Sequence, residues 1–319
     1  MSGRGGGLIS VIVVTKGAKD YLSRCLRSLH AQTLPPAEVI VIDNSLDAGF
    51  SQKIKNDFPQ VKIYSAPMNL FYAASLNKGI SISRGEFILC LNDDICLDMN
   101  FINKARAGFF VNDRVGMVSG KVLRDSIAAI DSAGLSPDIF RRAKERGYGR
   151  PDGRPFGKEC YIFGPGGAAA FYRREMLEDI RVCRWYFDED LIMFYEDLDI
   201  AWRAKNYGWK GYYIPSAVAY HARGGSFRPD AGLNKPFARR YLDSKAHAWL
   251  IRNRYAVMLK NESVLGLILH IAPVMLFGLL ELAYALFRNP GAIGILSDIH
   301  WMSAALAKRR GCFPAAGPN

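Results

Sequence analysis

A chain of 319 residues with a formal charge of +12 can hold one large α/β domain with an appendage or two modest domains, and at 50% apolar residues it can bury a sizeable core. Its six cysteines (Cys25, Cys90, Cys96, Cys160, Cys183 and Cys312) include no Cys-x-x-Cys pair and several sit in apolar runs, so reduced, mostly buried thiols of a cytosolic chain are expected. Residues 1–7 are Gly-rich and lack the apolar stretch and cleavage site of a signal peptide, while the charge favours nucleic acid, a nucleotide diphosphate or an anionic membrane face as partner.

In chain order, residues 8–14 form an apolar β-branched run, and residues 20–31 follow with Leu22, Cys25, Leu26 and Leu29 at helical spacing. Strand, then helix, is the reading. Runs at 38–42, 61–64 and 86–91 predict three more strands, with helices at 51–57 and 72–83, an alternation that implies a parallel, doubly wound sheet. Ligands of such sheets lie beyond the carboxyl ends of the strands, where this chain places Thr15 and Lys16, Asp43 and Asn44, and Asn92, Asp93 and Asp94. The basic stretch from Arg141 to Arg154 reads as a long, largely solvated loop, with a lid that binds a diphosphate or lipid phosphate as the sharper alternative. Residues 162–173 are Gly-rich and apolar, 196–207 helical, and 212–221 two short strands broken at Pro215. The α/β unit is expected to close near Ser226, with helical patterns beyond Pro229, a nearly all-apolar stretch at 264–287 and a disordered tail at 311–319.

Three constellations carry chemistry. Asn92-Asp93-Asp94 ends a strand too apolar to tolerate carboxylates unless they face solvent or a site; hard divalent cations want such oxygens, although a plain Asn/Asp turn is the competing reading. Asp188-Glu189-Asp190 and Glu196-Asp197 with Asp199 crowd acids at a helix start, more than helix capping needs. His221 ends a strand, where imidazole can ligate a metal or simply hydrogen-bond.

The segments Ser10 to Thr15, Val41 to Ser45, Leu91 to Asp94, Phe187 to Glu189 with Glu196-Asp197, and His221 with Gly225-Ser226 occur in an order that resembles family 2 glycosyltransferases of the GT-A fold, especially the bacterial rhamnosyltransferase and galactofuranosyltransferase branch. The likeness covers roughly residues 8 to 230. It implies one Rossmann-like, nucleotide-binding mixed sheet flanked by helices, with a C-terminal helical membrane-associating appendage. It implies an inverting, metal-dependent transfer of a sugar from a dTDP- or UDP-sugar to a hydroxyl of a lipid-linked or polysaccharide acceptor. By position, Thr15, Asp43, Asn69, Asn77, Asp93 and Gly167 would hold the donor; Asp94 and His221 would hold Mg2+ or Mn2+; Asp197 would be the catalytic base; Glu196 and Arg203 would touch the diphosphate or acceptor. Phe71 stands where that branch has Gly and Asn92 where it has a first Asp, so a different loop is expected at Phe71, because a bulky residue does not freely take positive φ.

The expected organisation is a tail at 1–7, a catalytic domain at 8–229, a helical region at 230–310 lying in the plane of the membrane, and a tail at 311–319. His270, Pro273 and Glu281 within the apolar stretch favour the in-plane placement over a span. A polyprenyl-diphosphate-linked or other glycan acceptor, the cytoplasmic face of the inner membrane and a homodimer complete the expectation. The rivals are a catalytically silent nucleotide-sugar-binding or scaffold protein, and a sugar nucleotidyltransferase, for which Thr15-Lys16-Gly17-Ala18 is too short a phosphate loop. Nucleic acid is not expected, because the basic residues accompany apolar helices.

Overall fold

Val11 and Val13 point to one side of the first strand and Ile12 to the other, and all three are fully buried, so this strand must run through the middle of the molecule with helices on both faces. The computed structural model, which describes residues 7–125, 129–223, 242–297 and 299–311, shows that arrangement. Strands β1 (Ile9–Thr15), β2 (Glu38–Asp43), β3 (Lys62–Ser65) and β4 (Phe87–Asn92) pair in parallel in the order β3-β2-β1-β4. Helices α1 (Lys19–His30), α2 (Ala48–Asp57) and α3 (Phe71–Ile82) cross between them. These are the four strands and three helices read from the sequence, with ends moved by up to a few residues.

Beyond β4 the sheet is no longer parallel. β5 (Ile95–Leu97) and α4 (Phe101–Ala107) lead to β6 (Val115–Arg124), β7 (Ile130–Ser132), β8 (Cys160–Ile162) and β9 (Ala169–Arg173). After α5 (Arg174–Asp179) and α6 (Glu196–Asn206) comes β10 (Lys210–His221). The sheet continues β4-β9-β6-β10-β5, with β9 antiparallel to both neighbours. It is therefore mixed, as the family resemblance implies and simple strand–helix alternation does not.

The sequence reading of two short strands around Pro215 is corrected. β10 is one strand with a register shift against β6 between Ile214 and Val218, because Pro215 has no N–H for the ladder and the chain bulges past it. The basic loop is corrected too. Arg146 packs over Phe156 and Tyr213, Arg142 pairs with Asp138, and Arg141 pairs with Glu262, leaving Lys144, Arg150 and Arg154 exposed.

Among the described residues four helices follow: α7 (Ser244–Asn261), α8 (Val264–Arg288), α9 (Gly291–Leu296) and α10 (His300–Gly311). In α8 the inward residues Gly266, Val274, Glu281 and Ala285 are buried, whereas Val264, Leu265, Ile268, Leu269, Ile271, Met275, Leu276, Leu279, Leu280, Leu282, Leu286 and Phe287 are exposed. At about 100° per residue the exposed set covers roughly half the helix circumference, and it is apolar throughout. The two polar side chains that argue against a span face the protein: Glu281 pairs with Arg254 of α7, and His270 meets Arg141 at 3.1 Å. The boundary expected at 229/230, the turn at Gly225-Ser226, residues 1–6 of the first tail and residues 312–319 of the last lie outside the described residues.

Gly79 shows how tightly α3 sits on β1: a methyl group there would lie 2.5 Å from Ile12 Cγ2. Gly79→Ala is expected to destabilise the fold by about 1–3 kcal/mol through overpacking, measured as a shift of the urea midpoint at unchanged slope.

Candidate active site

The carboxyl ends of β1 and β4 meet. Thr15, itself buried, donates its hydroxyl to Asp93 Oδ2 at 2.6 Å. Asp93 is half-buried, and burial, with the neighbouring Asp94 charge adding to it, raises its pKa to about 6 against the opposing bond from Thr15. Asp94 Oδ1 lies 3.1 Å from His221 Nε2, because β5, which begins at the next residue, pairs antiparallel with the end of β10. The other imidazole nitrogen, Nδ1, is 2.8 Å from Asp131 Oδ2, and Asp131 also accepts from Arg223 at 2.9 Å. Burial alone would lower the His221 pKa, but the bonds to Asp131 and Asp94 raise it to about 8.

Fixing Nδ1 in this way aims Nε2 at Asp94. That is the arrangement in which a second carboxylate orients a metal-ligating histidine. The donor set of one carboxylate and one imidazole therefore fits a divalent cation that takes its remaining ligands elsewhere. Among the described residues no group of three or more His, Cys, Asp or Glu side chains is arranged to hold a metal by itself.

The opposite wall starts where α6 starts. Asp197 Oδ2 accepts from the Gly167 amide at 3.1 Å and Oδ1 from the Leu198 amide at 2.7 Å, so the carboxylate is fixed while remaining partly accessible. Gly167 is held in turn by Tyr72, whose hydroxyl donates to its carbonyl at 2.6 Å. Burial raises the pKa of both Asp197 and its neighbour Glu196, and Glu196 Oε2 accepts no hydrogen bond. Glu145, bonded by Ser132, is a third carboxyl here; burial first, then the charge on Asp197, raises its pKa to about 8. The chain turns into α6 through left-handed Ile192 (φ 58°), Phe194 (φ 71°) and Tyr195 (φ 70°), each costing on the order of 1–3 kcal/mol for a non-glycine residue.

The two walls are joined through the ends of β4 and β9. The Asn92 amide, two residues before Asp94, donates to the Ala168 carbonyl at 3.0 Å, and Ala168 adjoins the Gly167 that holds Asp197.

Other expected site residues stand differently. Asp43 is buried and accepts from Ser45 N at 2.8 Å and Ser51 Oγ at 2.5 Å. Asn69 accepts from Phe71 N at 2.9 Å and caps the turn into α3. Phe71 itself takes the left-handed conformation (φ 57°), contrary to the expectation that its bulk would force another loop; its ring meets Trp249 of α7 edge-on at 5.7 Å, and this packing holds it there. Asn77, expected at the donor, is buried and spends its amide on the loop before α6, donating to Phe187 O at 2.8 Å and accepting from Phe187 N at 2.8 Å. Arg203, expected at the diphosphate or acceptor, is only 1% exposed and binds Asp199 at 2.9 Å and the Tyr186 carbonyl at 2.6 Å.

Asp131 and Glu145 were not foreseen. Asp131 sits on a three-residue strand and Glu145 within an arginine-rich stretch, and neither neighbourhood carries a pattern that would single it out.

A doubly wound nucleotide-type half-sheet joined to a mixed half, with acids and an imidazole collected at the strand ends between them, defines a GT-A glycosyltransferase. Residues 10–181, over half of the chain, match the model of Glycosyl transferase family 2, and the protein belongs to that family. Among relatives, an N-acetylglucosaminyl-diphospho-decaprenol L-rhamnosyltransferase of Mycobacterium tuberculosis is 24% identical over 243 residues, covering 67% of this chain and 76% of that protein. An uncharacterized glycosyltransferase of Bacillus subtilis is 26% identical over 269 residues, covering 80% and 91%. Among solved structures, GalNAc-T7 with UDP, GalNAc and Mn2+ superposes with a TM-score of 0.61 at 16% identity over 80% of this chain, which spans only 48% of that one. S. aureus TarS 1-349 in complex with UDP-GlcNAc gives 0.56 at 16% identity, covering 96% and 82%. At such identity these two likenesses speak for the fold.

The raised Glu145 has a measurable consequence. The folded state keeps this proton where the unfolded chain has lost it, so stability falls as pH climbs from about 4.5 towards about 8, and the full penalty persists above. Glu145→Gln is expected to raise the melting temperature well above pH 8 and to leave it unchanged near pH 4, followed by thermal denaturation across pH.

Proposed function

We propose that the protein transfers a sugar, with inversion, from a dTDP- or UDP-sugar to a hydroxyl of a polyprenyl-diphosphate-linked or polysaccharide acceptor, at the cytoplasmic face of a bacterial inner membrane. The observation that carries the reading is the path from Asp94 through Asn92 and Ala168 to Gly167 and Asp197, which links the Asp94–His221 pair to the Asp197 carboxylate across the ends of β4 and β9. The printed names of the relatives support it: the mycobacterial relative is named for rhamnosyl transfer to a diphospho-decaprenol-linked sugar, and the GalNAc-T7 and TarS structures are described with UDP and UDP-GlcNAc respectively.

In this reading Asp94 and His221 hold Mg2+ or Mn2+, which when bound offsets charge on the departing diphosphate. Asp93, fixed by Thr15, faces the donor, and Asp43 and Asn69 shape the nucleotide side through the turns they cap. Asp197 takes the proton of the acceptor hydroxyl as that oxygen attacks the anomeric carbon from the side opposite the nucleotide. Its pKa, raised by burial, improves the match between base and alcohol. A single displacement inverts the anomeric configuration. Glu196, beside it and with an unbonded oxygen, is placed to accept from an acceptor hydroxyl that does not react.

The catalytic domain spans 8–229, and the helices of 230–310 attach it to the membrane. Support comes from α8, whose 25 residues carry a mean hydropathy of 2.1 in the most apolar window, with 17% of that window buried. Its polar side chains turned to the protein and its apolar half turned out favour a helix lying in the membrane plane over one that crosses.

Two tests follow. Asp197→Asn should abolish transfer in a panel of UDP- and dTDP-sugars with divalent metal, while nucleotide binding by calorimetry is retained; undiminished transfer rejects the base. Leu269→Glu, Leu276→Glu and Leu280→Glu together should release the protein from anionic liposomes in a flotation assay, since each buried Leu is worth on the order of 1.5–3 kcal/mol. Unchanged partition rejects α8 as the anchor.

A further inference from the structure

Asn253 of α7 is fully buried and donates from one amide nitrogen to three backbone carbonyls: Leu191 at 2.5 Å, Met193 at 2.7 Å and Phe194 at 3.0 Å. Its Oδ1 accepts from Arg252 Nε at 3.0 Å, and Arg252 Nη2 donates to the Asp190 carbonyl at 2.5 Å, so the whole stretch from 190 to 194 is gripped from one point on the helix. That stretch carries left-handed Ile192 and Phe194 and ends on left-handed Tyr195, the residue from which α6 departs. A β-branched and two aromatic residues resist this conformation, and released backbone would rotate away from it. Rotation at Tyr195 would swing Glu196 and Asp197, because they are the first two residues of α6.

One turn earlier on α7, Trp249 supports left-handed Phe71 at the start of α3, whose Tyr72 holds Gly167. Both turns flanking the cleft are thus held against their own backbone preference by one face of one helix, from outside the segment that matches the family model.

We propose that Asn253 is a positioning residue for the transfer reaction: by tying down the carbonyls of 191–194 it fixes the direction in which Asp197 meets the acceptor hydroxyl, with Trp249 steadying the opposite lip. The proposal rests on the reading of Asp197 as the base. The Asn253 NH2 group spreads two hydrogens over these three carbonyls; a carboxylate would set oxygen against oxygen, and a serine hydroxyl offers one hydrogen.

The test uses the full chain with Asn253→Ala, Asn253→Asp and Asn253→Ser, the donor selected by the panel above, and UDP or dTDP with Mn2+ as the binding probe. Expected is a loss of kcat on the order of 10²-fold, largest for Asp and smallest for Ser, with donor KM and nucleotide Kd within about twofold of the parent. Folded variants with kcat within about twofold of the parent, or nucleotide affinity falling in step with kcat, overturn the proposal. Should Ala and Asp not fold, Ser decides by the same criteria, and a Ser variant that also fails to fold assigns a role in folding alone and overturns it as well. Asp197→Asn measured alongside separates the two readings. Full activity there sinks the base whatever Asn253 does, whereas a dead Asp197→Asn with an unaffected Asn253→Ala sinks only the positioning role.

Discussion

The antiparallel pairing of β4 with β9 is the constraint on which the rest of the cleft depends. Leu91 stands opposite Ala169, and the ladder carries on past the strand ends to the bond between Asn92 and Ala168. Parallel pairing alone would collect polar groups at one edge of the sheet, as it does for Thr15 and Asp43. The reversal of β9 brings a second stretch of chain, Gly166 to Ala168, back across that edge, and the Gly167 amide is what Asp197 binds. Hydrogen bonds of main chain to main chain and main chain to carboxylate hold the two walls at a fixed spacing, which side-chain contacts alone would not secure.

Charge is arranged around this frame so that each acid has a different degree of freedom. Asp131 is committed: although burial opposes ionisation, His221 and Arg223 hold its pKa down to about 2. Asp188, at the back of the loop before α6, is committed as well, since Lys260 and Lys308 outweigh its burial and keep it ionised. Among the described residues Asp93, Glu145, Glu196 and Asp197 form no ion pair with Lys or Arg, and burial raises the pKa of each. Carboxyls that anchor structure and carboxyls that face the cleft are thereby told apart by their partners.

The parallel half of the fold was legible because β-branched runs and helical spacing are local signals, and the polar residues after β1, β2 and β4 stand at one edge of the sheet. The mixed half was not readable from alternation: β7 and β8 are three residues each, too short for a period, and β9 pairs with strands distant in sequence. Of the residues expected to face ligand, Arg203 and Asn77 turned out to be interior fasteners. A basic or amide side chain on a helix beside a catalytic acid looks the same in sequence whether it points to the cleft or to a buried carbonyl. Phe71 misled for the opposite reason, as its conformation is decided by Trp249, far along the chain.

The outward half of α8 governs how the molecule behaves in water. An unbroken apolar strip along a 25-residue helix is far from neutral in water, and in dilute buffer the readiest cover is the same strip on another copy. Particle size measured without detergent or lipid will report this mutual shielding, and an assembly seen under those conditions says more about the solvent than about how many chains work together in the cell.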